Sequence, residues 1–352
     1  LVNAASVYFV DVGQGAATII AFDDGNLVIV DCGPSATPLL DILEGLDFDR
    51  ITAVVLSHWH KDHVGGAPRL VGDYIDRIDG VYFARERPAT LILSQIVLNE
   101  LRELSSNESK FWLDHLRLQG NLQGRLYPQE PGHGCQAKVL YPTLLESMES
   151  EVQPDPNQGS GIISISAGNH RILIPGDAGR QAFEALLKRT DARPIQCDIT
   201  SAPHHSGKLE KDARVVPGFA NIFEWFYQKA VDTKHVIVSA GTGNDYGHPR
   251  RNHLHAARRS GATVQCTELT KECATETLID ALNQGTCCVD KTSTYHGRHR
   301  LRSNASVGCA GTIRVDLTNE HLLIHRLHEH QTSIDVTLDP NLAQCRCPLT
   351  VI

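Results

Sequence analysis

The hexapeptide His58-Trp59-His60-Lys61-Asp62-His63, directly after the apolar run Ile51–Leu56, constrains this chain more than any other feature. The run is continuous and rich in β-branched residues, fit for a strand buried on both faces. Three imidazoles and a carboxylate at the end of such a strand need partners, because buried polar groups cost free energy when unpaired. Alternate residues of an extended stretch share a face, so His58 and His60 project together. Asp62 and His63 follow where the chain turns towards a helix at Val64-Gly65-Gly66. The alternating pair suits one cation, and Asp62 with His63 suits a second. Mixed imidazole and carboxylate ligands fit zinc first, and also manganese or iron.

The remaining pattern predicts an α/β chain. Ser6–Gly13, Ala16–Phe22 and Asn26–Asp31 read as short strands, the last two joined by a hairpin at Asp24-Gly25. Thr37–Leu46 has helical spacing with Pro38 near its start. Thr90–Leu104 and Glu108–Leu118 both show i, i+3, i+4 apolar spacing and are expected to be helices. Further on, Ala137–Pro142 reads as a strand, Gly161–Gly168 and His170–Asp177 as a hairpin, and Arg180–Arg189 as a helix. An apolar-faced helix near Asn221–Ala230, a strand at His235–Gly241 and a helix over His248–Arg259, with Pro249 in its first turn, complete this part. From Cys266 the character changes: Thr312–Leu317, His321–Leu327 and Ser333–Leu338 resemble three short strands. The expected organisation is a domain over 1–265 and a small, Cys-rich and β-rich extension over 266–352.

Net charge is −8 with a pI near 6.1, which argues against a surface coated in basic residues for indiscriminate nucleic-acid binding. A local anion site stays open, because two bound divalent cations would invert the local field. None of the ten cysteines forms a C-x-x-C pair, so a zinc ribbon is not expected. Reduced, partly buried thiols are the expected state. No apolar run approaches a bilayer's thickness. No basic-then-apolar leader is visible, and the chain reads as soluble and cytoplasmic.

The hexapeptide matches the H-x-H-x-D-H signature of the metallo-β-lactamase fold. Four further stretches resemble the hydrolase domain of the competence protein ComEC and its soluble relatives: Asp11-Val-Gly-Gln-Gly15 leading to a strand that ends in Asp31, Gly176-Asp177 after a hairpin, Pro203-His-His-Ser-Gly207, and Asn244-Asp-Tyr-Gly-His-Pro249. The resemblance covers about residues 6 to 265, with all five motifs in order, and departs from the family in Ser206-Gly207, where Gly-Ser is usual. It implies an αββα sandwich holding two divalent metal ions, zinc first and manganese second. It also implies a metal set of His58, His60, Asp62, His63, Asp177 and His205. Standing alone, Asp177 would read as a turn aspartate; in this order it fits a carboxylate bridging two cations. His205 is favoured as the ligand and His204 as a substrate contact, an assignment open to exchange. Asp31 is expected to hold a ligating imidazole's other N–H.

The implied reaction is hydrolysis of a phosphodiester in DNA or a nucleotide by a hydroxide bridging the metals. Asp62 would orient it, and His204 or His248 would neutralise the departing oxygen. Asn244, Tyr246 and Arg250 are the expected substrate contacts. Another ester class, a choline-phosphate ester or a lactone, is the alternative. So is a non-catalytic metal-stabilised adaptor binding a protein partner through the extension. The histidines of His325–His330 are expected to have no metal role, with a second cation site on that strand as the other reading.

Overall fold

The structure, a computed structural model, describes residues 4–84, 92–108, 112–115, 125–127, 134–150, 156–189, 195–209, 216–277, 279, 308–325, 327–328 and 330. Its first half runs β1 (Ala4–Phe9), β2 (Ala17–Phe22), β3 (Asn26–Cys32), α1 (Thr37–Leu43), β4 (Arg50–Leu56), α2 (Lys61–Val64), α3 (Ala67–Asp73), β5 (Gly80–Phe83), α4 (Ile92–Glu108) and β6 (Trp112–His115). There follow β7 (Arg125–Tyr127), β8 (Cys135–Tyr141), α5 (Leu144–Ser150), β9 (Ile162–Ala167), β10 (His170–Ile174), α6 (Arg180–Lys188), β11 (Ile199–Ser201), α7 (Ile222–Trp225), β12 (His235–Val238), α8 (Arg251–Arg259), β13 (Thr263–Cys266), β14 (Ile313–Thr318) and β15 (Leu322–Ile324).

The strands form an eight-stranded sheet, β15-β14-β1-β2-β3-β4-β5-β6, and a seven-stranded sheet, β13-β12-β11-β10-β9-β8-β7. Each is antiparallel in one part and parallel in the other, the switch falling at β3/β4 in the first and β10/β11 in the second. Period-two alternation sorts the side chains into layers. Along β3, Val28 and Val30 enter the core shared by the two sheets, while Leu27 and Ile29 face a second core with Leu39, Leu43, Leu70 and Leu101 from α1, α3 and α4. A third core packs the other sheet against Phe183, Phe226 and Leu254. Three apolar layers therefore separate helix, sheet, sheet and helix.

Two elements differ from the sequence reading. The expected helix over Glu108–Leu118 contains β6, paired parallel with β5 from Gly80↔Trp112 to Phe83↔His115. A short aromatic and aliphatic run suits helix and strand alike, and the open edge of β5 decides between them. Pro249 precedes α8, whose N-cap is Arg250. In the 266–352 segment, β14 pairs with β1 and sends Ile313, Val315 and Leu317 into the core shared by the sheets. These strands extend the sandwich rather than build a core of their own. Ser333–Leu338 lies outside the described residues.

Candidate metal centre

The candidate ligands stand beyond the carboxyl ends of β4, β10 and β11, where open α/β sheets bind their ligands. After β4 the chain bends at His58 and Trp59 and is extended again at His60 (φ −73°, ψ 145°), ahead of α2. Trp59 then turns inward, donating Nε1–H to the Ala84 carbonyl (2.9 Å) and meeting Phe83 edge-on, while His58 and His60 face the opposite way. His58 Nε2 and His60 Nδ1 lie 3.0 Å apart, and His58 Nε2 is 3.4 Å from Asp177 Oδ2. On α2, His63 Nε2 lies 3.0 Å from His205 Nε2 and 3.2 Å from Asp177 Oδ1. His205 Nε2 is also 3.4 Å from Asp62 Oδ2. Two groups result, His58–His60–Asp177 and Asp62–His63–His205, with the ligand atoms of each within 4.8 Å of one another.

Hydrogen bonds on the far side of the rings fix which nitrogen is free. His63 Nδ1–H donates to Asp31 Oδ2 (2.7 Å), and His205 Nδ1–H donates to the Ser239 carbonyl (2.8 Å). Ser57 donates its N–H to Asp31 Oδ1 and its O–H to Oδ2, each at 2.7 Å. Its oxygen then accepts from His58 Nδ1 at 3.2 Å. Every imidazole so held turns an Nε2 lone pair inward. Lone pairs 3.0 Å apart repel unless a proton or a cation lies between them, and Asp177 Oδ1 is buried with no hydrogen-bond donor among the described residues. The donor set fits two divalent cations, with one Asp177 oxygen turned to each group.

The electrostatics agree. Burial disfavours the Asp177 anion, but His63, His58, His205 and His204 outweigh it and hold the carboxyl well below its usual range. Asp62 is likewise lowered against burial, by its contact with His205 and the charge of His63. Burial lowers His58, and it lowers His60 to about 4, so both rings are neutral at pH 7, as metal binding would require. His63 is raised despite burial by Asp177 and Asp31, holding a proton where a cation would replace it.

The loop after β11 aims the other imidazoles. His204 (φ 52°), His205 (φ 51°) and Ser206 (φ 60°) are consecutive left-handed residues, a conformation that costs roughly 1–2 kcal/mol each outside glycine. The exchanged Ser206-Gly207 order has its reason here. A Cβ at Gly207 would lie 2.5 Å from both the His204 carbonyl and His248 Nε2. His204 ties Nδ1 to the Lys208 carbonyl and holds Nε2 3.7 Å from Asp177 Oδ2. His248 packs edge-on against His204, with ring centroids 5.0 Å apart. Burial and its histidine neighbours lower His248 to about 3.

Asp11–Gly15 locks the halves together. Ala16 N–H donates to the Asp62 carbonyl (3.0 Å), Ser239 Oγ donates to the Gly15 carbonyl (2.7 Å), and Gly241 N–H reaches Gln14 Oε1. Gly15 (φ 148°) leaves no room for a side chain, since a Cβ would sit 2.4 Å from the Asp62 carbonyl oxygen.

Among the expected substrate contacts, Asn244 is occupied within its own loop. Its Nδ2 donates to the Gly241 and His248 carbonyls, and its Oδ1 accepts from His248 N–H. It braces the loop rather than facing a ligand. Tyr246 is 66% exposed and lies nearly parallel to the His248 ring, 5.9 Å away. Arg250 stands at the N-cap position of α8, and its Nε has no hydrogen-bond partner among the described residues. The tail histidines do not converge: the strand ends at Ile324, His325 pairs with Asp316 (2.6 Å) and His330 meets Cys309 (3.3 Å). Ser57, Ser239 and Lys208 were missed by sequence reasoning. Ser57 had a signal, a polar residue closing an apolar run, whereas the other two act through backbone carbonyls and have none.

The Metallo-beta-lactamase superfamily profile matches residues 10–215, and the chain belongs to that superfamily. It is 30% identical over 115 residues to a ribonuclease Z of Treponema denticola, 27% of this chain and 37% of that protein. It is 35% identical over 72 residues to an atrochrysone carboxyl ACP thioesterase of Cryptosporiopsis sp., 20% of this chain and 22% of the other. The chain thus spans well under half the length of these curated relatives. Among solved structures, the metallo-beta-lactamase fold protein YhfI of Bacillus subtilis aligns over 75% of this chain and 96% of its own, with 12% identity and a TM-score of 0.43. Among the described residues, no helix is long and apolar enough to cross a membrane. The six described cysteines are buried.

Proposed function

We propose that the protein is a dinuclear-metal phosphodiesterase acting on nucleic acid or a nucleotide, as the ComEC-like motif order implies. The observation that carries this reading is Asp177, whose two oxygens face two separate imidazole groups. A pair of divalent cations held there would supply an acidified water and neutralise charge on the phosphoryl oxygens. Zinc suits the donor set best, with manganese as the second choice.

The protein's own groups do the rest. Asp62, kept anionic, orients the attacking water and accepts its hydrogen bond. His204, tied at Nδ1, directs Nε2 at the reacting group and donates to the departing oxygen when protonated. His248 is neutral and offers a ring N–H to a phosphoryl oxygen. Tyr246, exposed beside it, gives a base a face to stack on, and Arg250 adds a cation at the same rim. A complete ligand set weighs against a non-catalytic adaptor.

The test is a substrate panel run with zinc and then with manganese: bis(p-nitrophenyl) phosphate, single-stranded and duplex DNA, RNA and cyclic dinucleotides. Phosphodiester cleavage dependent on the metal is expected. Cleavage of a thioester or lactone without any phosphodiester hydrolysis would move the protein to another ester class, for which the thioesterase similarity already gives grounds.

A further inference from the structure

The two cation groups differ in charge and in what stands behind their imidazoles. The Asp62–His63–His205 group has a carboxylate of its own, Asp62, whose Oδ2 lies 3.4 Å from His205 Nε2. Asp177 adds its Oδ1, 3.2 Å from His63 Nε2 and 3.7 Å from His205 Nε2. Behind the rings, His63 Nδ1–H donates to the Asp31 carboxylate (2.7 Å) and His205 Nδ1–H to the Ser239 carbonyl (2.8 Å). The His58–His60–Asp177 group has only the other oxygen of Asp177, 3.4 Å from His58 Nε2. His58 Nδ1 leans on the neutral Ser57 hydroxyl, a longer contact at 3.2 Å. Among the described residues, His60 makes no hydrogen bond besides its 3.0 Å contact with His58, so nothing behind its ring fixes it.

We propose that the groups fill in order: Asp62–His63–His205 takes its cation first and tightly, and His58–His60–Asp177 takes the second weakly, so that hydrolysis is switched on by the supply of divalent cation. The inference rests on the dinuclear phosphodiesterase reading above. A carboxylate or carbonyl that accepts the far N–H makes an imidazole a more basic ligand and holds its ring in place. Losing such a partner costs a metal site about ten- to a hundredfold in affinity. A dication also gains more from two carboxylates than from a share in one. An ion already held beside Asp62 offsets part of the Asp177 charge and repels a second ion, which widens the gap. When metal is scarce the protein holds one ion and is idle, and the weaker group sets the metal dependence of turnover.

The full chain, stripped of metal and isotope-labelled in its histidines, is titrated with zinc against a competing chelator and followed by NMR. Two binding events are expected, the first tighter by more than about tenfold. The Nδ1–H signals of His63 and His205, held in hydrogen bonds, should shift with the first equivalent, and that of His58 with the second. Hydrolysis of bis(p-nitrophenyl) phosphate should stay near background up to one equivalent and rise with the second. Two variants at partly exposed positions assign the events. His60→Gln should lose the weak event and keep the tight one, and Asp62→Asn should lose the tight one. Affinities within about tenfold of each other, a first equivalent that shifts His58, or full turnover at one equivalent would overturn the order and leave a dinuclear centre standing. A single ion per chain at saturation would remove both. Two ions loaded in the expected order without cleavage of any phosphodiester would keep the order and remove the phosphodiesterase.

Discussion

The two halves of the metal centre are built in opposite ways. The half that follows β4 comes from one local motif, in which the bend after a buried strand turns Trp59 inward and His58 and His60 outward, and α2 then delivers Asp62 and His63. The half that follows β11 and β12 holds its imidazoles by backbone: three left-handed residues, and the carbonyls of Lys208 and Ser239. Asp177 joins them from the end of β10. The first half is positioned by one short stretch of chain and hydrophobic burial, the second by conformations that only the folded chain can impose.

Breaking the link should have the largest effect. Asp177→Asn keeps the shape and removes the charge both groups share. Activity on bis(p-nitrophenyl) phosphate should fall about a thousandfold, a loss of several kcal/mol of transition-state stabilisation. Metal content by mass spectrometry should drop to one ion per chain or fewer. Next, Gly207→Ala forces a methyl group against His248 and should cost about ten- to a hundredfold in kcat. If the second half were loosely held, the ring would move aside and kcat would be unchanged.

His253 sharpens the comparison from outside the ligand set. It is fully buried, stacks on Phe223 at 4.3 Å and donates Nδ1–H to the Gly207 carbonyl. Burial lowers its pKa to about 3, against 6.5 unfolded. Between these values the unfolded chain binds the extra proton, so stability is lost as the pH falls from 6.5 towards 3. The slope contributed is at most about 1.4 kcal/mol per pH unit. Urea melts of His253→Phe across this range should show a shallower dependence by about one proton; an unchanged slope contradicts it. The smallest effect belongs to Ser206→Gly, which relieves a left-handed serine at the entropic cost of a glycine and should raise stability by about 0.5 kcal/mol.

The same contrast explains what could be read from the sequence. β3, β4, α1 and α4 were legible because they carry unbroken apolar runs or a helical period, whereas the four-layer arrangement came from the resemblance in motif order. Asp31 and Asp177 could be placed from motif order. Asn244 was misplaced because its motif shows that it matters, not which way its amide turns; both ends are spent on its own loop. The Glu108–Leu118 segment was misread because a partner strand far away in sequence, β5, settles it. Choosing His205 over His204 as ligand leaned on family order, and no spacing rule reports that both residues are left-handed.

The most direct test is the anomalous scattering of crystals grown with zinc or manganese. Two peaks are predicted, one among His58, His60 and Asp177 and the other among Asp62, His63 and His205. A single peak, or ions bound elsewhere while these side chains stay apart, would contradict the account.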